Sequence, residues 1–168
     1  FGHMHLSGTG IGCPGDIALL PVRNASQRSP FFTHDNERMH PGYYSLRLTD
    51  PDGLVELAAT KRCAMHRYTF GKGAKAQLAL DLAQCIGWDT PTDCMLSQES
   101  PTRLIGYRRS TGWAKDRRIY FAMEFSRPVY VERSDSMYRA LLSFNSLDTP
   151  LIVKVSLSPV EPDKAKAN

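Results

Sequence analysis

The sequence predicts an all-β fold, an antiparallel β-sandwich of about ten strands with little helix. Three observations support this prediction. Short apolar runs recur at a spacing of roughly 8–14 residues, and clusters of Gly, Pro, Asn, Asp and Ser separate them. The strongest candidate for a helix, residues 74–84, contains Leu78, Leu80 and Leu82. A period of two is that of a strand, so this segment is also predicted as a strand.

The first half of the chain contains four further predicted strands. Residues 17–22 form an apolar run that suits a strand buried on both faces. Residues 43–48 alternate between apolar and polar side chains, and 54–60 follow after Asp-Pro-Asp-Gly at 50–53. Proline presets φ and glycine accepts a positive φ, so this tetrapeptide predicts a turn that joins the two runs into a hairpin. Residues 63–70 end at a Gly-Lys-Gly turn.

The second half of the chain contains five predicted strands of the same kind. They lie at 104–109, 119–125, 129–132, 139–144 and 151–157. A polar connection that ends in proline separates the last two. We expect one β-sandwich domain over residues 1–160, and a polar tail or the start of a linker over 161–168.

The composition is that of a globular domain, with 168 residues, 42% of them hydrophobic, and a net charge of +4. This length buries enough surface to fold without a disulfide or a metal, and no apolar run is long enough for a transmembrane helix. Acidic and basic residues alternate along the chain, so we expect no nucleic-acid surface. The four cysteines lack metal-site spacing. Cys85 and Cys94 can meet across a loop, although free thiols are the simpler interpretation.

Two histidines near the start of the chain, His3 and His5, are the first candidate site residues. In an extended segment they point to the same face, because strand side chains repeat every two residues. Three roles are open to them: ligands of a metal, as in cupins, a polar wall of a pocket, or structural hydrogen bonding. Further metal ligands would have to come from the rest of the chain, where His34, Asp35, His40 and His66 are available.

The glycine-rich stretch Ser7–Gly12 fits neither the phosphate-loop pattern nor the dinucleotide fingerprint. Its glycines let backbone approach a ligand closely, and the hydroxyls of Ser7 and Thr9 can bind a polyhydroxyl ligand; a structural loop is the alternative. Trp88 and Trp113 adjoin glycines, so they are either stacking platforms for a sugar or plugs at the ends of the sandwich. No nucleophile motif occurs, and we predict no catalytic residue and no metal ligand in this chain.

Several of these motifs together resemble one known family. They are FGHMHLSGTG at 1–10, GDIALLP at 15–21, HPGYYS at 40–45, ELAAT at 56–60, HRYTF at 66–70, GYRRSTGWAKD at 106–116 and KVSLS at 154–158. In this order they resemble the N-terminal domain of glycoside hydrolase family 92. The sequence departs from the family pattern at Gly2, where serine is usual, and at Cys63 and Cys85.

The resemblance implies part of a calcium-dependent, exo-acting α-mannosidase that inverts the anomeric centre and trims mannose-containing glycans. Its catalytic carboxylates and calcium ligands are then expected on a separate (α/α)₆ barrel packed against this domain, which supplies loops to the substrate pocket. It also implies that upstream strands are missing, that the chain alone is inactive, and that the protein is secreted, periplasmic or on the cell surface. The substrate-binding residues expected in this chain are His3, His5, Ser7, Thr9, Trp88 and Trp113.

Two other functions fit the residues. A noncatalytic β-sandwich that binds carbohydrate or a protein needs no second domain and uses Trp88 and Trp113 as platforms. A cupin-like metal site needs His3 and His5 with further ligands from elsewhere.

Overall fold

The computed structural model describes residues 1–4, 15–134 and 136–168. Twelve strands lie in this described part: β1 Ala18–Pro21, β2 Glu37–His40, β3 Tyr43–Thr49, β4 Asp52–Ala59, β5 Cys63–Phe70, β6 Gln77–Asp81, β7 Thr90–Ser100, β8 Arg103–Thr111, β9 Arg117–Phe125, β10 Tyr130–Arg133, β11 Arg139–Ser143 and β12 Leu151–Ser158. A short 3₁₀ turn, His34–Asn36, precedes β2, and a short helix, α1 Pro162–Ala167, follows β12.

The strands form two antiparallel sheets. The smaller sheet has the order β1-β6-β11-β10, and the larger has the order β2-β3-β4-β5-β12-β9-β8-β7. The predicted all-β sandwich is therefore confirmed. The predicted hairpin is also present, with β3 and β4 paired from Tyr44 opposite Leu57 to Thr49 opposite Asp52.

The core lies between the two sheets because alternate side chains of each strand point inward. In β6 the inward side chains are Leu78 and Leu80, which face Leu142 and Ala140 of β11 across the ladder and are buried. The period of two seen in the sequence is thus the inward period of a central strand. The larger sheet contributes its own buried side chains, which include Leu46, Leu48, Val55, Tyr68, Leu104, Phe121, Met123 and Val153.

The sequence does not predict β2 or β7, which are the two edges of the larger sheet. Three of the four residues of β2 are exposed, and β7 alternates only over part of its length. Its register shifts between Pro91 and Asp93 and again between Gln98 and Ser100. Edge strands carry polar residues, prolines and bulges, so they lack the apolar periodicity on which strand prediction depends.

Residues 161–168, where the sequence predicts a tail or a linker, include α1. The helix packs on the outer face of β9 and β12 through the buried side chain of Ala165. Ser156 donates a hydrogen bond of 2.5 Å to the carbonyl of Ala165. Within the described residues no helix is long and apolar enough to cross a membrane. Cys63, Cys85 and Cys94 are free thiols.

Candidate functional site

One end of the sandwich brings the start of the chain against β1. Residues 1–4 run antiparallel to residues 15–19, and the Gly15 amide donates a hydrogen bond of 3.1 Å to the Met4 carbonyl. Met4 and Gly15, which flank the segment 5–14, therefore lie side by side. Three predicted site residues fall in that segment and lie outside the described residues, namely His5, Ser7 and Thr9.

His3 is described, and its ring lies against the buried ring of His66 in β5. Its Nε2 is 2.9 Å from Nε2 of His66, and the two rings stack with centroids 4.9 Å apart. Nδ1 of His66 is 2.7 Å from the Tyr68 hydroxyl. Nδ1 of His3 hydrogen-bonds the carbonyl of Ile17. The ring of His3 therefore links the first strand-like segment of the chain to the centre of the larger sheet.

With both rings neutral, this chain of hydrogen bonds has a single direction. The Ile17 carbonyl only accepts, so Nδ1 of His3 carries the proton and its Nε2 accepts from His66. His66 then accepts from the Tyr68 hydroxyl, whose pKa burial raises. Burial also lowers the pKa of His66 to about 3, and the electrostatic effects of His3 and the chain's amino group act in the same direction. His66 is thus neutral at physiological pH.

A buried ion network lies beside these rings. The guanidinium of Arg108 is fully buried; its Nη1 pairs with Asp16 and lies 3.0 Å from Oδ2 of Asp89. Arg117 also pairs with Asp16 and lies 3.4 Å from Oδ2 of Asp89. Nε of Arg108 donates to the carbonyl of Leu82 at 2.9 Å. Two carboxylates and two guanidinium groups neutralise one another, which makes their burial tolerable.

The backbone around Asp16 is held in conformations that side chains rarely adopt. Gly15 has φ of 62° and Ile17 has φ of 54°. A β-branched residue such as isoleucine is disfavoured in this region, and such strain persists only where the surroundings determine it. A Cβ at Gly15 would lie 2.7 Å from the side chain of Ile86, so glycine is required there for space as well as for φ.

Trp88 and Trp113 lie at this same end. Thr90 of β7 pairs with Thr111 of β8, and each tryptophan lies two residues beyond that pair. Asp89, beside Trp88, contacts both arginines of the ion network. The indoles are 62% and 66% exposed. They do not plug the sandwich, and both are available to a ligand or to another surface.

A groove of about 300 Å³ opens beside Gly15 on the outer face of the smaller sheet. Its apolar lining includes Phe1, Leu20 and Ile86, and its polar lining includes the ion pair of Arg139 with Asp81, 2.8 Å long. This volume is at the lower limit for pockets that hold small ligands. The groove is therefore a concave surface that reaches Ile86, two residues before Trp88 in the chain.

The histidines proposed as additional metal ligands are not gathered at this end. Only His66 adjoins His3, whereas His34 pairs with Glu37 and His40 stacks on Tyr43. Among the described residues no three His, Cys, Asp or Glu side chains converge on a point that could hold a metal. The described residues therefore do not supply the further ligands that a cupin-like site at His3 needs.

The candidate site residues proposed from the sequence include no member of the ion network. One signal for it is present in β8, where Leu104, Gly106, Arg108 and Ser110 share one face. Leu104 is completely buried, so strand parity places Arg108 in the core, and an arginine there requires acidic partners. The partners themselves are not predictable in this way, because Asp16 is 92 residues away in the chain.

Comparison with known families and structures identifies the relatives of this fold. The sequence matches the Glycosyl hydrolase family 92 N-terminal domain over residues 1–158. The fold is similar to that of the family GH92 α-mannosidase BT3965 from Bacteroides thetaiotaomicron, with a TM-score of 0.83 and 25% identity over 98% of this chain and 27% of that one. No curated protein matches the sequence.

Two other solved structures share the fold at lower identity. The GH92 family glycosyl hydrolase ccman5 has a TM-score of 0.79 and 21% identity over 93% of this chain and 25% of its own. The Family GH92 Inverting Mannosidase BT2199 from Bacteroides thetaiotaomicron VPI-5482 has a TM-score of 0.72 and 21% identity over 90% of this chain and 23% of its own. The chain spans about a quarter of the length of these proteins. The resemblance found in the sequence is confirmed, and the chain belongs to glycosyl hydrolase family 92 as its N-terminal domain.

Proposed function

We propose that this chain is the N-terminal domain of an exo-acting α-mannosidase that inverts the anomeric centre, and that its end bearing His3, Trp88 and Trp113 walls the substrate pocket. The family match over residues 1–158 carries this proposal. The structural similarity to the α-mannosidase BT3965, which has also been solved in complex with mannoimidazole, supports it.

The reaction needs two carboxyl groups that this end of the chain does not offer. An inverting glycosidase places an acid and a base about 6.5–9.5 Å apart, one to protonate the leaving oxygen and one to activate water. Asp16 is completely buried, and both Asp16 and Asp89 are engaged by arginines. These carboxylates are suited to holding structure rather than to transferring protons. In this proposal the acid, the base and a calcium ion belong to a partner barrel domain of the longer protein.

The role left to this domain is to bind and orient the sugar. His3 is fixed by hydrogen bonds on both ring nitrogens, so the segment 5–14 that follows it starts from a defined position. That segment carries His5, Ser7 and Thr9, whose polar groups are the proposed contacts to sugar hydroxyls. The exposed indoles of Trp88 and Trp113 are proposed to stack on the C–H faces of mannose residues in the glycan.

The longer protein is proposed to act outside the cytoplasm, as a secreted, periplasmic or surface enzyme, because mannose-containing glycans are its proposed substrates.

A second function is favoured by one observation. Two exposed indoles at one end of a β-sandwich are also what a noncatalytic carbohydrate-binding module presents. The isolated chain distinguishes these possibilities, since a binding module needs no other domain.

The test uses the protein encoded by the complete reading frame and, beside it, the 168-residue chain. We expect the complete protein to hydrolyse an aryl α-mannoside, with proton NMR showing β-mannose as the first product. We expect the isolated chain to show no turnover, because it lacks the acid and the base, and no binding of mannose by calorimetry at millimolar concentration. Retention of configuration, or no activity on any α-mannoside, would contradict the proposal. Turnover by the chain alone would contradict the assignment of catalysis to another domain, and mannose binding by it would favour the second function.

A further inference from the structure

We infer that Asp89 is a positioning residue that determines specificity for oligosaccharides. Its contacts hold the loop of Trp88 against the loop of Trp113, so that the two indoles form one surface for the leaving-group part of a glycan. The inference rests on the proposed function and deepens it, because it names the class of substrate that these loops select. Asp89 acts through the two tryptophans and not by contact with the sugar.

The two loops leave the larger sheet at neighbouring positions. Thr90, at the start of β7, pairs with Thr111, at the end of β8. Adjacent strands are about 4.8 Å apart, and the exposed side chains of Trp88 and Trp113 each lie two residues beyond this pair. The two indoles are therefore attached to closely spaced points of the backbone.

Asp89 and Gly112 bring the two loops into contact. A Cβ at Gly112 would lie 2.6 Å from Oδ1 of Asp89 and 3.0 Å from its Cα, so glycine is needed for the loops to come this close. The Gly112 amide donates a hydrogen bond of 3.0 Å to the carbonyl of Ala114, which folds the chain tightly around Trp113. The position of Trp113 relative to Trp88 thus depends on the position of Asp89.

One buried guanidinium holds both ends of the loop that carries Trp88. Nε of Arg108 donates to the carbonyl of Leu82 at 2.9 Å, and its Nη1 lies 3.0 Å from Oδ2 of Asp89. The side chain of Arg108 is fully buried, so it is a fixed point for the loop. The carboxylate of Asp89 therefore contacts Arg108 through one oxygen and lies against Gly112 with the other.

The ion network can lose Asp89 without leaving either arginine unpaired. Arg108 and Arg117 both pair with the buried carboxylate of Asp16, and Arg117 is 19% exposed, so water can reach it. Thr90 also keeps its place in the ladder. Removal of the Asp89 carboxylate is therefore expected to release the loop that it anchors and to leave the core in place.

Two indoles on adjoining loops favour an oligosaccharide over a single sugar. Each indole presents the area of about one sugar ring to the C–H face of a pyranose. In the proposed exo-acting enzyme one terminal sugar lies at the reacting bond, so any further sugar that the protein contacts belongs to the leaving group. The pair of indoles therefore places at least one stacking contact on the leaving-group side.

The test compares two substrates in the complete protein. α-Mannosyl fluoride has a single atom as its leaving group, whereas α-mannobiose has a sugar, and the linkage with the highest wild-type kcat/KM is used. We expect Asp89→Ala to lower kcat/KM on the mannobiose about tenfold and to keep kcat/KM on the fluoride within about twofold of wild type. Asp93→Ala is the matched control and should keep the wild-type constants on both substrates. The Asp93 carboxylate accepts a hydrogen bond of 2.7 Å from Tyr107 and lies within β7 rather than in either loop.

A purely structural role for Asp89 predicts a different result. The folded fraction of each variant is measured by circular dichroism, and kinetic constants are expressed per folded molecule. A lower melting temperature with wild-type constants on both substrates would overturn the inference. An equal loss on both substrates would also overturn it, because the loops would then act on the terminal sugar.

Gly112→Ala provides the test if Asp89→Ala does not fold. Its Cβ pushes Asp89 away from the turn of Trp113 and leaves every charge of the network in place. A selective loss on the mannobiose would support the inference, and wild-type constants on both substrates would overturn it. Trp113→Ala changes only an exposed side chain, and wild-type constants for that variant on the mannobiose would overturn the inference as well.

The wild-type protein separates this inference from the proposed function. If it hydrolyses the fluoride and no mannobiose, the inference alone is overturned. If it hydrolyses neither substrate, the proposed function is overturned, and the inference with it.

Discussion

His66 and Arg108 are polar side chains inside an apolar core, and each is tolerated because its partners are fixed. His66 lies between the His3 ring and the Tyr68 hydroxyl. Arg108 lies between the carboxylates of Asp16 and Asp89. Burying such groups without partners costs several kcal/mol. The start of the chain supplies one partner to each of them, so the segment that leads into the proposed pocket is also part of the core's hydrogen bonding.

The neutral state of His66 makes the stability of the chain depend on pH. Its pKa is lowered to about 3 in the fold, whereas an unfolded histidine titrates near 6.5. As the pH falls through about 6.5, the unfolded chain binds a proton at this histidine and the folded chain does not. The contribution of His66 to the free energy of unfolding is therefore complete above that pH and decreases on acidification. We expect a loss of about 2 kcal/mol in the free energy of unfolding between about pH 7 and about pH 5 from this group.

Urea denaturation of the chain at the two pH values measures this loss. His66→Gln is expected to be less stable at neutral pH and to show a much weaker dependence on pH. His40→Gln serves as the control, since His40 lies on the exposed surface, and it should keep the wild-type dependence. An unchanged loss in His66→Gln would show that another group is responsible.

At the scale of the element, β8 connects the core to the candidate site. Its inward-facing residues are Leu104, Gly106, Arg108 and Ser110. One end of the strand therefore packs in the apolar core, and the other end contributes Arg108 to the ion network. Gly106 lies where β7 and β9 both approach closely. A Cβ at this position would lie 2.1 Å from the Met95 carbonyl oxygen and 2.6 Å from the Phe121 ring. Both neighbours are fixed, one by the backbone ladder and one by the core.

Gly106→Ala is therefore expected to be strongly destabilising. We predict a loss of about 3 kcal/mol in the free energy of unfolding, because neither neighbour can yield without disturbing the ladder or the core. Gly73→Ala is the matched control: Gly73 has φ of +79° with nothing within 4 Å, and only the backbone penalty of about 1 kcal/mol applies. Urea denaturation compares the two variants, and an equal or smaller loss for Gly106→Ala would contradict the packing described for β8.

The strands whose bounds the sequence predicts best have an inward face that is buried along most of its length. β5 begins and ends at the predicted residues, and β12 differs from its prediction by one residue. The unpredicted strands, β2 and β7, are edges with many exposed residues, so neither the core nor a second neighbour imposes a pattern on their whole length. Helix α1 has six residues and buries only Ala165, which leaves no helical periodicity to recognise.

The sequence identifies some residues of the candidate site and misses those that are held there by pairing between distant parts of the chain. His3, Trp88 and Trp113 stand out by residue type and by their neighbouring glycines, and the structure places all three at one end. The residues that bind this end together do not stand out. Arg117 lies within a run of mixed charges that is typical of a solvated turn, and its partner Asp16 is 101 residues earlier in the chain. Pairing over such a distance depends on the tertiary fold.

At the scale of the whole molecule, one end of the sandwich combines the ion network with the exposed indoles of Trp88 and Trp113. Both sheets contribute to this end: residues 15–17 lead into β1 of the smaller sheet, and β8 and β9 belong to the larger. The chain accounts for 27% of the length of the α-mannosidase BT3965. Among the described residues this end has no carboxylate pair free of arginines, and it exposes two indoles. Both features suit the proposed role of completing a pocket whose chemistry lies in another domain.

The central claim is that this end of the sandwich faces the bound sugar, and a crystal structure of the complete protein with mannoimidazole tests it most directly. We predict that the sugar ring lies within about 4 Å of side chains of residues 3–9, with Arg117 still bridging Met4 and Asp16. A sugar bound elsewhere in the protein, with this end of the sandwich exposed to solvent, would contradict the claim.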